Sequence, residues 1–191
     1  MRIDIFVLLE TGDIRKKTNL IESKAESIGF KACCFPSESK AAGVVILINS
    51  NWKKALETSA TIHANKNGDI RAVACEFKDT QHRDKADKSK PQERFLLVAA
   101  HGYNDSTGSN KTEAESLKKQ IATRIKKYKN KDKGKNRFGS ILILADLNAA
   151  KHPLLDTDGV NRNATMVRET DANTAESFIA ETNTHDVYRD K

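Results

Sequence analysis

The sequence predicts an α/β (α+β) fold, a four-layer sandwich in which two mixed β-sheets pack face to face and helices cover the outside. Three observations carry that expectation. Continuous apolar runs at residues 3–9, 43–49 and 94–100 read as buried strands. An alternating segment at 58–64, the turn signal Asn67-Gly68 and a returning segment at 70–77 read as a hairpin with one wet face. Helical periodicity falls between groups of strands, at 14–28 and 111–128, so helices lie outside sheets. A simple doubly wound fold would not contain the hairpin.

Each element follows from its own chemistry. Residues 3–9 are rich in Ile, Val and Leu. In 14–28 the residues Leu20, Ile21, Lys24, Ala25 and Ile28 recur at helical spacing, and Gly29 is placed to stop the helix. Residues 30–35 form a short strand ended by Pro36, and 43–49 form a second apolar strand. Across the hairpin, Ser59, Thr61 and His63 alternate with Ala60, Ile62 and Ala64. Residues 94–100 form the next strand. In 111–128 the apolar stripe is Leu117, Ile121, Ile125 and Tyr128. A strand at 140–145 follows, then a loop at 149–171 and a short helix at 172–181 ahead of Val187. Residues 78–93 and 129–137 are expected to be mobile charged loops.

At 191 residues the chain fits one domain and two poorly. A hydrophobic content of 38% and a charged content of 31% suit a globular protein with a polar surface. No apolar run approaches the ~20 residues needed to cross a bilayer, and the N-terminal apolar core is too short for a signal peptide. The expectation is an intracellular protein, nuclear or cytoplasmic, with no membrane contact. Cys33 and Cys34 are adjacent and Cys75 leaves an odd count, without a Cys-x-x-Cys spacing. All three read as reduced, strand-borne small hydrophobes, and neither a zinc site nor a disulfide framework is indicated.

The net charge of +7, from 33 basic and 26 acidic residues, suits either a polyanionic partner or solubility alone. Its distribution is uneven: residues 118–137 hold ten bases and one acid, Asp132. Such a segment beside a phosphate-handling site would attract nucleic acid by counterion release.

The chemistry concentrates where apolar strands end. The first runs into Glu10, the strand at 94–100 into His101 and then Asn104, and the strand at 140–145 into Asp146 with Asn148 two positions on. A buried strand ending on a carboxylate or amide delivers that group to a sheet rim, where several strands can share one site. Oxygen ligands suit a hard divalent cation, so a divalent-metal phosphodiester site is the leading reading.

Five segments in order resemble the endonuclease/exonuclease/phosphatase superfamily, the DNase I-like group that includes apurinic endonucleases and endonuclease domains of non-LTR retrotransposons. They are Asp4-Ile5-Phe6-Val7-Leu8-Leu9-Glu10-Thr11, Gly43-Val44-Val45-Ile46-Leu47-Ile48, the 96–104 segment, Ile141-Leu142-Ile143-Leu144-Ala145-Asp146-Leu147-Asn148, and Asp186-Val187-Tyr188-Arg189. The resemblance implies Mg²⁺, with Mn²⁺ as the alternative, held by Glu10. It implies that Asp146 orients or deprotonates the attacking water and that Asn148 donates to the phosphate oxygen. His101 stands at the position of the family's tyrosine, with Tyr103 as the competing aromatic, and Asn104 matches a phosphate-contacting asparagine. Lys126 and Lys127 are the basic candidates for substrate contact. Asp186 and Arg189 are read as architectural.

The family's opening strand with its asparagine, and its closing Ser-Asp-His element, have no counterpart in this sequence; His152 and His185 are not replacements by motif. The expectation is therefore a single partial, incomplete domain over 1–191, short at both ends, whose missing central strands would leave apolar faces uncovered. The implied function is a metal-dependent phosphodiester hydrolase, foremost an endonuclease on DNA of mobile-element kind, with doubtful competence as this chain alone. The alternatives are a non-catalytic nucleic-acid-binding remnant using 118–137 and an inositol or lipid phosphatase of the same superfamily.

Overall fold

The computed structural model describes residues 4–78, 94–103, 109–131 and 139–146. Among them are seven strands and two α-helices: β1 (Ile5–Leu9), α1 (Thr18–Ser27), β2 (Phe30–Phe35), β3 (Val44–Asn49), β4 (Leu56–Ala64), β5 (Ile70–Lys78), β6 (Arg94–His101), α2 (Ser109–Lys131) and β7 (Gly139–Asp146). The loop expected at 149–171 and the helix at 172–181 lie outside the described residues, as do 79–93 and 132–137 of the two expected charged loops. Residue 78 instead ends β5, and residues 129–131 continue α2, because lysine is a good helix former and the next breaker is Gly134.

The strands form two sheets. The first has the order β1-β3-β2 and is antiparallel throughout, so the expectation of two mixed sheets holds for only one of them among the described residues. The second has the order β4-β5-β6-β7, with β4, β5 and β6 antiparallel and β7 parallel to β6. Helix α2 is the crossover between the two parallel strands. It starts near the end of β6, runs back along the sheet, and lets β7 return to the same rim.

Burial explains the layering. Val44, Ile46 and Ile48 of β3 and Cys33 of β2 meet Val73, Cys75 and Phe77 of β5 and Leu97 and Ala99 of β6 in one core between the sheets. Phe77 and Phe95 stack there with centroids 4.4 Å apart, and Trp52 meets Phe95 edge-on at 5.7 Å. The alternate residues Ala72, Ala74, Leu96, Val98 and Ala100 face the other way, onto the Leu117, Ile121, Ile125 and Tyr128 stripe of α2. The helix α1 packs on β2. All three cysteines are free thiols in strands, Cys33 and Cys34 in β2 and Cys75 in β5.

The outer elements are wetter than their composition suggests. β1 is not buried on both faces: Ile5, Val7 and Leu9 point inward while Phe6 (40% exposed) and Leu8 (45%) point out. Among the described residues it pairs only with β3 and so sits at the sheet edge. β7 is likewise an edge strand among the described residues, with Leu142 43% exposed. In α1 only Ala25 is buried, and Leu20 and Ile28 of the expected stripe face solvent. The chain turns 3-10 at Arg15–Lys17 before the α-helix begins. His63, expected on the wet face of β4, is buried. Register shifts on both sides of it mark a bulge, which re-aims a side chain across the pleat.

One close approach sets the geometry of the β1 end. Gly43, at φ +86°, lies against the 11–12 turn: Thr11 N–H donates to the Gly43 carbonyl at 3.3 Å and Gly12 N–H to the Ala42 carbonyl at 2.7 Å. A Cβ at position 43 would stand 2.8 Å from Thr11 Oγ1 and 3.0 Å from the Gly12 carbonyl oxygen. Gly43→Ala therefore combines backbone strain with a backbone clash. It should lower stability by about 2 kcal/mol, read from urea unfolding; an unchanged midpoint would show that this clamp contributes nothing.

Candidate functional site

Three strand ends meet at one rim. In the parallel register of β6 and β7, His101 is the partner of Asp146, and Gly102 N–H donates to the Asp146 carbonyl at 2.6 Å. The end of β1 reaches the same place: Glu10 Oε1 lies 3.4 Å from His101 Nε2. Glu10, His101 and Asp146, more than a hundred residues apart in sequence at the extremes, thus share one location. The remaining candidates at this rim, Asn104 and Asn148, lie outside the described residues.

Glu10 is the one non-glycine described residue with positive φ, at +55°. A left-handed glutamate costs about 1–2 kcal/mol, and such strain tends to persist where the surroundings over-determine it for function. Here the clamp on residues 11 and 12 holds the turn and leaves the Glu10 side chain half exposed (49%) at the rim.

The group that sequence reading missed is Arg71. It stands one residue beyond the Ala72–Ala100 pair of β5 and β6 and is only 9% exposed. Its Nη1 lies 2.8 Å from His101 Nδ1 and donates to the Gly102 carbonyl at 3.0 Å. Its guanidinium carbon sits 4.8 Å over the Tyr103 ring, a cation–π contact out of water. The adjacent Asp69 is buried and accepts from Ser37 Oγ at 2.8 Å, Ser39 N–H at 3.0 Å and Asn65 Nδ2 at 3.0 Å. Burial pushes the Asp69 carboxyl up, but those donors together with the Arg71 charge outweigh it and the net shift is downward. The sequence signal for Arg71 was a charge at the start of the apolar run that opens the hairpin's second strand.

Tyr103 is not offered to a substrate. It is buried, and its hydroxyl lies 2.9 Å from His63 Nε2, which in turn lies 3.8 Å from Glu113 of α2. Desolvation first, and Glu113 second, push the Tyr103 phenol up to about 12. The bulge in β4 is what brings His63 into this inner chain.

Lys126 and Lys127 are exposed on α2, yet they stand far from the rim. Arg124 bonds Glu76 at 2.5 Å, and Glu76 pairs with Leu96, five residues before His101. At ~3.3 Å per strand residue that level of the helix is ~17 Å from the rim. The antiparallel course of α2 against β6 carries its basic half to the opposite end of the sheet. The basic segment expected beside the phosphate-handling rim is therefore not adjacent to it over the described part of α2.

The rim carries two carboxylates, a histidine and a buried guanidinium. Burial first, and the Arg71 charge second, pull the His101 imidazole down from its ordinary value, and Glu10 and Asp146 do not restore it. Burial likewise lowers His63. Among the described residues no group of three or more His, Cys, Asp or Glu side chains is close enough to hold a metal ion. The donors present, a half-exposed carboxylate and a second one at the neighbouring strand end, still fit Mg²⁺, which takes one or two carboxylates and keeps several waters.

No protein-family model matches the chain, and no curated protein does. Among solved structures it is similar to the human Nocturnin catalytic domain with bound sulfate, at 14% identity and a TM-score of 0.44, covering 77% of this chain and 52% of that one. The chain thus spans about half the length of that domain, and at this level the likeness says nothing about activity. No described helix is long and apolar enough to cross a membrane. The class that the architecture defines is an α+β sandwich of two packed sheets with outer helices.

Two outcomes follow. Replacing Glu10 by glycine removes the left-handed penalty, so Glu10→Gly should gain about 1 kcal/mol of stability in urea unfolding; a loss would mean that the side chain stabilises the turn. His63 and His101 bind protons less readily folded than unfolded, so between the two sets of pKa values the unfolded chain holds more protons and stability rises with pH. The urea midpoint should therefore fall on acidification from about pH 7.5 to about pH 5.5, through the ordinary histidine range. A flat profile would contradict the burial of both rings.

Proposed function

We propose that this chain carries the site of a divalent-metal-dependent phosphodiester hydrolase of the endonuclease/exonuclease/phosphatase superfamily, acting on nucleic acid and foremost as an endonuclease on DNA. The observation that supports this reading is the meeting of Glu10, His101 and Asp146 at one rim, with Glu10 in a strained left-handed conformation. Strand-end groups converging from distant sequence positions suit a reacting centre, and strain there suits preorganisation.

Glu10 would hold the cation, with waters completing its shell. When bound, the cation supplies charge neutralisation for the phosphoryl and leaving oxygens. Asp146 aligns a water and takes its proton as the water oxygen adds to phosphorus opposite the leaving group. The phosphorus–oxygen bond to the leaving sugar then breaks, and the leaving oxygen takes a proton from solvent. His101 and Asn148 supply donors toward the phosphoryl oxygens as charge builds on them. Asp69 and the His63–Tyr103 pair hold Arg71 and stay out of the chemistry.

The test is nicking of supercoiled plasmid with Mg²⁺ or Mn²⁺. Asp146→Ala should reduce the rate by at least about 100-fold while leaving the unfolding midpoint nearly unchanged. No nicking with either metal would reject the reading for this chain.

A second reading rests on a separate observation, the exposed lysines of α2 remote from the rim. A nucleic-acid contact there would operate without metal. Neutralising Lys126, Lys127 and Lys129 should then flatten the salt dependence of binding by roughly one unit of slope per lost phosphate contact; an unchanged slope removes that surface from consideration.

A further inference from the structure

We infer that Arg71 is a positioning residue that fixes the proton of His101 on Nε2, making the imidazole a hydrogen-bond donor aimed at the rim. The inference rests on the hydrolase reading only for its functional meaning; the proton's location is a property of the chain itself.

The argument is one of donors and acceptors. A guanidinium has five N–H groups and no lone pair to give. Its Nη1 lies 2.8 Å from His101 Nδ1, and that distance is a hydrogen bond only when Nδ1 carries the lone pair. A proton on Nδ1 would set two N–H groups against each other in a buried site, where an unsatisfied donor is costly. On the other side of the ring the neighbour is of the opposite kind. Nε2 faces the Glu10 carboxylate, an acceptor, at 3.4 Å.

Arg71 cannot swing away to accommodate another arrangement. It donates from the same Nη1 to the Gly102 carbonyl, lies over the Tyr103 ring, and feels the buried Asp69 charge. Tyr103 is itself pinned through its hydroxyl to His63. The inner chain of His63, Tyr103 and Arg71 therefore ends in a single choice of proton on His101. With that proton in place Nε2 has no lone pair, so His101 donates at the rim and does not act there as a base. The role is that of a hydroxyl donor, filled by an imidazole whose orientation and tautomer are set from behind.

The test is the two-bond ¹H–¹⁵N correlation spectrum of the histidine rings in the metal-free, uniformly ¹⁵N-labelled chain near neutral pH. The His101 signals are assigned by their loss in His101→Gln. The wild-type ring should show the pattern of a protonated Nε2 and a bare Nδ1. In Arg71→Met, or in Arg71→Gln as the milder change, it should move toward the averaged pattern of mixed tautomers. A wild-type ring protonated on Nδ1, or on both nitrogens, overturns the inference without any variant. So does a folded Arg71 variant whose His101 pattern is unchanged. The two readings fail separately. A chain that nicks no plasmid yet shows the Nε2–H ring loses the hydrolase reading and keeps this one. A chain that nicks plasmid with an Nδ1–H ring does the reverse.

Discussion

The structure depends on the burial of β5 and β6 on both faces. One face meets β2 and β3 across the inter-sheet core, and the other meets α2. Strands desolvated on both sides leave no water for a polar side chain, so any such group must be matched by protein partners. Glu76 is matched by Arg124, and Asp69 by Ser37, Ser39 and Asn65. Arg71 is matched by His101, the Gly102 carbonyl and the Tyr103 ring. What begins as a packing constraint becomes an electrostatic one at the rim, where Arg71 near the start of β5 and His101 at the end of β6 meet each other and the incoming ends of β1 and β7.

The same constraint explains why the rim is ordered from behind. β6 and β7 run parallel, so His101 and Asp146 emerge at the same level. β1 belongs to the other sheet and could have ended anywhere along the interface. The clamp of Thr11 and Gly12 on Ala42 and Gly43 fixes where it stops, and the left-handed Glu10 is the consequence. Gly43 N–H in turn donates to the Ile70 carbonyl at 2.9 Å, tying this turn to the start of the strand that carries Arg71. The carboxylate, the imidazole and the guanidinium are thus positioned by one connected set of backbone bonds. The outer strand faces and α1, where Phe6, Leu8, Leu20 and Ile28 meet solvent, take no part in it.

Much of this was legible in the residues. Continuous apolar runs marked β2, β3 and β6 to within a residue, because strands in a packed interior have no polar face to conceal them. The Leu117–Tyr128 stripe marked the buried side of α2, because 3.6-residue periodicity puts those residues on one face, whereas the stripe expected for α1 buries only Ala25. The strand ends at Glu10, His101 and Asp146 stood out since an apolar run that stops on a chemistry-bearing group is uncommon. Less was legible where neighbours decide burial. β1 and β7 read like buried strands and are edge strands among the described residues, since a sequence records a strand's own side chains and not how many partners it finds. His63 alternates onto the wet face until a bulge turns it inward, and bulges have no fixed residue signature.

The sequence by itself determined the α+β class, the order of the elements and the strand-end carboxylates, because those depend on local periodicity and on composition. Only the tertiary structure decided that Arg71 stands behind His101, that Tyr103 is spent on His63, and that Lys126 and Lys127 point away from the rim. Each of those is a relation between segments brought together by folding, set by sheet register and by the antiparallel return of α2. Register fixes contacts between residues that no spacing along the chain encodes.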